Sequence, residues 1–500
     1  MPPRASKSPL LSLALDRHGP EPLQAQIFDQ VRAAILAGRL TPGTRLPATR
    51  ALATELGVSR NTILGAFERL YAEGYIEGRM GSGTQVSGVL PEDLLSARQL
   101  AGAQAGTTVA AGKLSALSKQ MTGMNYRNRH SAKGARAFRP GLPDLQQFPF
   151  QLWSRIIAKF WRHPQHDLLC SGDLGGYLPL RRSIAAYLGA VRGLRCTPEQ
   201  IMITSGAQQA LDLIARTLID PGDDVWVENP GYVGLRSTLM AAGARINHIA
   251  VDDEGLSVEA GRRQAPTAVL AAVTPSHQYP LGVTMSLARR LELLDWATGA
   301  NAWILEDDYD SEFRYGGKPL SALQGLDQSG RVIYVGTFSK VLFAALRMGY
   351  IVIPEALLGP FTELRASIDD QPALALQPAL HTFFEDGHFA SHIRRLRGLY
   401  AARQEMLIDA LKAEADGLLT ASPHEAGMHL VAGLGPDCAL SDHDIARRAA
   451  DAGLTVRALS AFYEGSEKPE GLVLGYAGLT EDEIKRDVKR LVSVMQTPIS

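Results

Sequence analysis

From residue 138 onward, short β-branched runs alternate with helical stretches, and this alternation restricts the fold of the 500-residue chain more than any other feature. Strand-type runs are predicted at 201–204, 224–228, 246–251, 268–273, 302–306, 332–336 and 349–353. Helical periodicity separates most of them, as at 207–218 and 287–297. Such dense alternation predicts a mostly parallel, doubly wound α/β sheet. Ligands of such sheets bind beyond the carboxyl ends of the strands. From about residue 351 the chain reads as long helices, including 388–412, with a smaller α+β portion.

The N-terminal part is organised differently. Residues 20–88 form a compact zone with helical periodicity and glycine punctuation. A helix is predicted at 21–37, with Leu23, Ile27, Val31 and Ile35 on one face and Gly38 at its end. A second follows with Thr49 as its N-cap, Leu52 and Leu56 on the apolar face, and Gly57 for the turn. Ser59 caps a third, whose first turn carries Arg60, Asn61 and Thr62. A helix-turn-helix presents such donors to base edges from the start of its second helix. Tyr75-Ile-Glu77 and Thr84-Gln-Val86 then flank a short hairpin with a glycine-rich tip. The alternative reading is a helical dimerisation bundle that carries arginines. Over residues 1–88 there are ten Lys/Arg and seven Asp/Glu, about +3 in a chain whose net charge is −1.

This stretch resembles the winged helix-turn-helix of the GntR family. The matching residues are Pro22-Leu23, Gln26-Ile27, Gly38-Arg-Leu40, Pro42-Gly43, Leu46-Pro47, Leu56-Gly-Val-Ser-Arg60 and Gly81-Ser-Gly-Thr84. The resemblance implies double-stranded DNA as a partner and Arg45, Arg50, Arg60, Asn61, Thr62 and Gly83 as the DNA-facing positions.

Residues 89–137 are rich in Ala, Gly, Ser, Thr and Gln. They are too poor in large apolar side chains to build a core, which predicts a flexible linker. Its second half carries Lys119, Arg127, Arg129, Lys133 and Arg136, either a solvated tether or a contact to DNA or an acidic surface. The cysteines, Cys170, Cys196 and Cys438, lie far apart without a CxxC pair, so neither a disulfide framework nor a metal site is expected. A reducing cytoplasm is the expected compartment, because no apolar run reaches membrane-spanning length and the first residues lack the apolar core of a signal peptide.

Lys340 ends the run Arg331-Val-Ile-Tyr-Val-Gly-Thr-Phe-Ser-Lys340, with Arg347 beyond it and Tyr309 upstream in Glu306-Asp-Asp-Tyr-Asp310. A lysine at a strand end, with an acid and an arginine in reach, suits an aldehyde cofactor held as a Schiff base. Pyridoxal 5'-phosphate needs an amine, an anion at its ring nitrogen, a flat side chain on its ring and donors for its phosphate. Lys340 is the candidate amine, and Asp307, expected just past a strand, the anion. Tyr309 is placed to hydrogen-bond the phenolic oxygen, and Tyr232 in Glu228-Asn-Pro-Gly-Tyr232 to stack on the ring. Ser205, Gly206 and Ala207 open a helix whose N–H groups and dipole face an anion, and Ser339 and Arg347 add donors. Singly, each has an ordinary reading: packing punctuation at Ser205-Gly-Ala207, a solvated loop at Asp307-Asp308, an exposed lysine at 340.

In this order and spacing the residues resemble fold-type I aminotransferases. With the N-terminal module, the whole chain resembles the MocR/GabR group of transcriptional regulators. Asn229-Pro-Gly-Tyr232, Thr274-Pro-Ser-His-Gln278, Glu306-Asp-Asp-Tyr-Asp310 and Phe338-Ser-Lys340 carry the likeness. It implies a homodimer, and it places His277 and Gln278 near the cofactor ring or in shaping its loop. Two departures stand out. The arginine with which aminotransferases hold a substrate carboxylate is absent from Gly471-Leu-Val-Leu-Gly-Tyr-Ala477. Arg457 is the candidate effector residue in its place, its alternative an exposed or salt-bridged role. Ser171 stands where related chains often carry a tyrosine. Two functions remain in view: a regulator sensing an amine, an amino acid or pyridoxal phosphate itself, and an aminotransferase with an accessory DNA-binding arm.

Overall fold

The computed structural model describes residues 13–17, 19–79, 83–89, 112–123, 137–163, 168, 170, 172–316 and 321–496. The chain divides into two compact units, residues 1–114 and 115–500. Ser171, Arg127, Arg129, Lys133 and Arg136 lie outside the described residues.

The first unit contains α1 (Leu23–Leu36), α2 (Thr49–Leu56) and α3 (Arg60–Ala72), then the antiparallel pair β1 (Ile76–Arg79) and β2 (Gly83–Val86). Ile27, Phe28, Val31, Leu52, Ile63, Phe67, Leu70 and Val86 bury a common core, so the i, i+4 spacing of α1 is its core face. Ser59 caps α3, its Oγ accepting from Thr62 N at 3.1 Å. Thr49 does not cap α2: Ala48 holds that position without a side-chain bond, and Thr49 is the first helical residue. The far end of α2 is closed instead, with Gly57 at φ +64 and Arg17 Nη2 donating to the carbonyls of Leu56 and Gly57. The hairpin tip, residues 80–82, lies outside the described residues.

In the second unit a helix, Ala116–Gly123, occupies part of the span expected to be a tether. The large sheet comprises β3 (Ile201–Thr204), β4 (Asp224–Asn229), β5 (Arg245–Asp252), β6 (Gly255–Leu256), β7 (Leu270–Val273), β8 (Trp303–Asp308), β9 (Val332–Thr337) and β10 (Gly349–Val352). Their order is β3-β10-β9-β8-β7-β4-β5-β6. β4, β5, β7, β8 and β9 pair in parallel, whereas β10 runs antiparallel to both β3 and β9. Every residue of β3, β7, β9 and β10 is buried, as expected of strands covered on both faces. The two-residue β6 is too short to leave a periodic signal and escaped the sequence reading. β8 extends through Asp308, so Asp307 lies within the strand rather than past it.

A second, antiparallel sheet has the order β11-β12-β14-β13, from β11 (Leu419–Ala421), β12 (His429–Leu434), β13 (Arg457–Ala458) and β14 (Gly471–Gly475). The helices His388–Glu414 and Glu481–Gln496 contribute to its core through Leu396, Leu407, Ile484 and Leu491. Among the described residues no helix is long and apolar enough to cross a membrane.

A buried ion pair, Arg403 Nη2 to Asp144 Oδ2 at 2.7 Å, ties the start of this unit to the long helix. Removing one partner of a buried pair strands the other charge at a cost of about 3–5 kcal/mol. Asp144→Ala should therefore lower the melting temperature of this unit well below that of Glu259→Ala. The latter breaks an exposed pair worth about 0–1 kcal/mol. Equal losses in thermal denaturation would show that the buried pair stabilises no more than the exposed one.

Candidate functional site

The carboxyl ends of β3, β4, β7, β8 and β9 meet the amino end of β10 at one edge of the large sheet, with Gly349 opposite both Thr204 and Thr337. That edge carries Ser205, Tyr232, Lys340 and Arg347, which share a cavity of about 1050 Å³. Gly206 caps the helix Ala207–Leu218 at φ +95, a conformation that L side chains rarely adopt. A Cβ there would stand 3.3 Å from Arg347 Nη2, so the bare backbone leaves the guanidinium room. Arg347 Nη2 donates to the Ser205 carbonyl at 2.8 Å, which fixes it over the helix start. The first-turn N–H groups, this guanidinium and the Ser205 hydroxyl make an arrangement that suits an anion. Ser339 Oγ is buried without a hydrogen-bond partner among the described residues.

Lys340 Nζ donates to the Gly141 carbonyl at 3.2 Å. Burial holds the amine below the ordinary lysine range, opposed by Asp310 and Asp307 and assisted by Arg139 and Arg457. A neutral amine is the nucleophilic form.

The acids of β8 and its sequel have distinct partners. Glu306 accepts from the backbone N–H groups of Leu323 and Gln324. Asp308 pairs with Arg192 at 2.9 Å and accepts from Tyr334 and Ser311 hydroxyls. Asp310 holds His277 Nδ1 at 3.1 Å. Asp307 differs in having no side-chain hydrogen bond or ion pair among the described residues; its Oδ1 is buried without a partner, as is Oδ1 of Asp308, whose Oδ2 carries that residue's bonds. Burial pushes the Asp307 carboxyl up to about 7, with Asp308, Glu228 and Asp310 adding and Lys340 opposing. A protonated ring nitrogen would satisfy that oxygen and reverse the shift.

Tyr309 Oη lies 2.9 Å from His277 Nδ1. Tyr232 is 37% exposed and lines both the main cavity and a nearly filled pocket whose walls include Asp307 and Glu228. His277 and Gln278 do not line the cavity. His277 stands behind Tyr309, and the Gln278 amide donates to the carbonyls of Pro230 and Tyr279 at 2.8 Å each while accepting from Leu281 N. Asp307, Tyr309 and Ser339 do not line that cavity either. Tyr279, the residue after Gln278, lines it instead.

Arg457 also lines the cavity, where the sequence reading had left its placement open. Arg139, Gly141 and Met121 do so too and were missed. Arg139 and Gly141 precede the first strand of the sheet, where no periodicity marks them. Met121 belongs to the helix inside the expected tether.

The arginines of the first unit fall into two sets. Arg17 closes α2, Arg32 Nε donates to Tyr75 Oη at 2.8 Å, and Arg69 pairs with Glu73 while its guanidinium lies 3.8 Å from the Phe28 ring centroid. Arg45, Arg50, Arg60 and Asn61 are exposed, with no side-chain hydrogen bond or ion pair among the described residues. Arg45 bridges Gln85 beside β2, and Arg60 and Asn61 start α3. Thr62 is part of the Ser59 cap, which occupies its hydroxyl. Gly83 is exposed at φ +83, where an added Cβ would meet open space, so the turn rather than crowding demands glycine.

An amine, an unpartnered acid, a stackable tyrosine, a hydroxyl and an anion cradle at one sheet edge fit pyridoxal phosphate. Lys340 would hold its aldehyde carbon, Asp307 its ring nitrogen, and Ser205, Ser339 and Arg347 its phosphate. In the cofactor-free protein, burial pushes the Asp307 carboxyl up to about 7 from its ordinary value of 3.8 in the unfolded chain. The stability this raised value brings is complete below the unfolded pKa and is lost as pH rises through the folded one. Asp307→Asn should therefore stabilise the cofactor-free protein more at about pH 8 than at about pH 5. A change in melting temperature that is the same at both would contradict this.

Residues 145–491 match the class I and II aminotransferase family, and residues 23–86 the bacterial regulatory proteins of the gntR family. The chain is 41% identical to the probable rhizopine catabolism regulatory protein MocR of Rhizobium meliloti, over 96% of this chain and 95% of that protein. It is 32% identical to the pyridoxine biosynthesis transcriptional regulator PdxR of Corynebacterium glutamicum, over 95% and 96%. Among solved structures, the α-aminoadipate aminotransferase LysN of Thermus thermophilus, complexed with N-(5'-phosphopyridoxyl)-L-leucine, superposes with a TM-score of 0.67. That match is 26% identical and covers 74% of this chain and 94% of LysN. With a gntR-type unit, an aminotransferase unit and a near full-length match to MocR, the chain belongs to the MocR family of transcriptional regulators.

Proposed function

We propose that this protein is a DNA-binding transcription regulator whose aminotransferase-like unit carries pyridoxal phosphate on Lys340. In this reading the unit senses an amine or amino acid, or the cofactor itself. The unpartnered Asp307 carboxylate, within the electrostatic reach of Lys340 and in a small pocket that shares Tyr232 with the lysine cavity, carries the cofactor assignment. Its likeness to a pyridoxine biosynthesis regulator keeps the cofactor among the candidate effectors. The cofactor, when bound, supplies an electrophilic carbon and an electron-withdrawing ring. The chain's own residues do the rest: Asp307 holds a proton at the ring nitrogen, and Tyr309, propped by His277, donates to the phenolic oxygen. Arg347 and the helix start orient the phosphate.

The assembled lysine pocket also keeps an aminotransferase with a DNA-binding arm in view. Product formation from an amino donor and a keto acid by purified protein would favour that reading.

Borohydride reduction of the pyridoxal-loaded protein should leave a pyridoxyl group on Lys340, detected by peptide mass spectrometry. Lys340→Ala should carry none. A covalent pyridoxyl group on the variant would place the linkage elsewhere.

The unit is proposed to form a cytoplasmic homodimer, supported by the exposed Phe150 and Trp161 at either end of helix Phe150–Arg162. Two readers would then protect two half-sites, direct or inverted. Arg60→Ala should weaken operator binding by about 1–3 kcal/mol while changing binding to random DNA less. A single short footprint with a monomer in light scattering would refute the paired arrangement. An equal loss on random DNA would make Arg60 a phosphate contact.

A further inference from the structure

The cavity beside Lys340 holds more positive charge than the cofactor requires. Its lining carries Arg139, Lys340, Arg347 and Arg457, against one carboxylate, Asp212. Asp212 already pairs with Arg216 Nε at 2.8 Å. In the proposed loading, Lys340 serves the aldehyde and Arg347 the phosphate. Two guanidinium groups then remain on the wall, and one of them, Arg139, makes no side-chain hydrogen bond or ion pair among the described residues.

Arg139 is built into place from its backbone. The Ala137 carbonyl accepts from Thr455 N at 2.8 Å and the Phe138 carbonyl from Gly475 N at 2.9 Å, so the segment lies along the end of β14. A Cβ on Gly475 would come within 2.3 Å of the Arg139 carbonyl oxygen, and no side chain fits there. The two residues before it, Ala137 and Phe138, are buried, Phe138 completely, while Arg139 itself is half-buried and lines the cavity. Two residues on, Gly141 holds the lysine amine through its carbonyl at 3.2 Å. One short rigid segment therefore sets both the resting position of the amine and the position of a guanidinium. The fields of Arg139 and Arg457 reach Lys340, which puts both close to where a ligand amine would react.

We infer that Arg139 is the carboxylate anchor of the effector site, so that the effector is an amine that also carries a carboxylate. The inference rests on the proposed loading of Lys340 with pyridoxal phosphate. It excludes simple amines as equal effectors and makes the cofactor alone an incomplete occupant of the cavity. Arg457, on β13, lines the same cavity.

The test uses the full-length, pyridoxal-loaded protein and follows its visible absorption on titration with L-alanine, β-alanine and 4-aminobutyrate. Each is paired with its neutral amide, which matches it in shape. At least one carboxylate should reach half-saturation at a concentration about tenfold or more below its amide, the size expected for a charge-assisted contact. Arg139→Gln should bring that ratio to within about twofold, and Arg139→Lys should keep part of it. Each ratio is taken within one variant, so differences in cofactor content cancel. Carboxylates and amides that titrate together in the wild type, or a ratio that survives in Arg139→Gln, would overturn the anchor while leaving the cofactor reading intact. Failure of the wild type to take up pyridoxal phosphate, seen as no visible absorption at all, would overturn both.

Discussion

One antiparallel strand makes the site possible. If β10 ran parallel like β4, β7, β8 and β9, its amino end would lie at the far edge of the sheet and Arg347 with it. Because β10 is reversed between β3 and β9, Gly349 lies opposite Thr204 and Thr337. Arg347, two residues earlier, is thereby delivered to the Ser205 carbonyl at 2.8 Å. The same reversal lets Gly349 pack on Gly206, where a Cβ would come within 3.1 Å of backbone. Anion cradle, lysine and acid thus occupy one edge through backbone pairing, before any side-chain bond is counted.

The second organising element is the division of labour among neighbouring acids. Burial of this strand end, with Asp308 beside them, raises the cost of ionising Glu306, Asp307 and Asp310. The fold offsets this by giving Glu306 two backbone donors, Asp308 a buried arginine and Asp310 a histidine. Asp308 also keeps a buried, unpartnered Oδ1, but its Oδ2 is held by Arg192, whereas Asp307 has no side-chain partner among the described residues and is the acid whose charge a cofactor ring would restore. Glu228, likewise pushed up to about 7 by burial, is held by Thr274 and Gln278 and adds to the pressure on Asp307.

The strand and helix spans were legible because buried parallel strands leave continuous apolar runs and amphipathic helices leave periodic ones. Ile201–Thr204 and Ala207–Leu218 appear at the bounds their residues suggest. Side-chain direction was less accessible. His277 and Gln278 stand in a cavity-lining loop by sequence, yet both turn inward to hold Tyr309 and the loop carbonyls, and Tyr279 faces the cavity. Thr49 has the chemistry of a cap, but Arg17, distant in sequence, already closes that helix at its other end, and the backbone begins at Ala48 without a cap bond. The helix Ala116–Gly123 carries too weak an apolar pattern to stand out from its surroundings in sequence.

By itself the sequence determined the order of the elements, the DNA-reader followed by an α/β unit, and the residue types needed for pyridoxal phosphate. These follow from local periodicity, turn chemistry and the scarcity of reasons for a lysine at a buried strand end. Only the tertiary structure decided which of several similar residues does what. It separated the arginines that hold the first unit together from Arg45, Arg50 and Arg60 on its surface, and Asp307 from three neighbouring acids. It also brought Arg139, some 200 residues before Lys340, to the same cavity. Those choices depend on contacts between segments far apart in the chain, where burial and the presence or absence of a partner, rather than residue type, set the energy of each group.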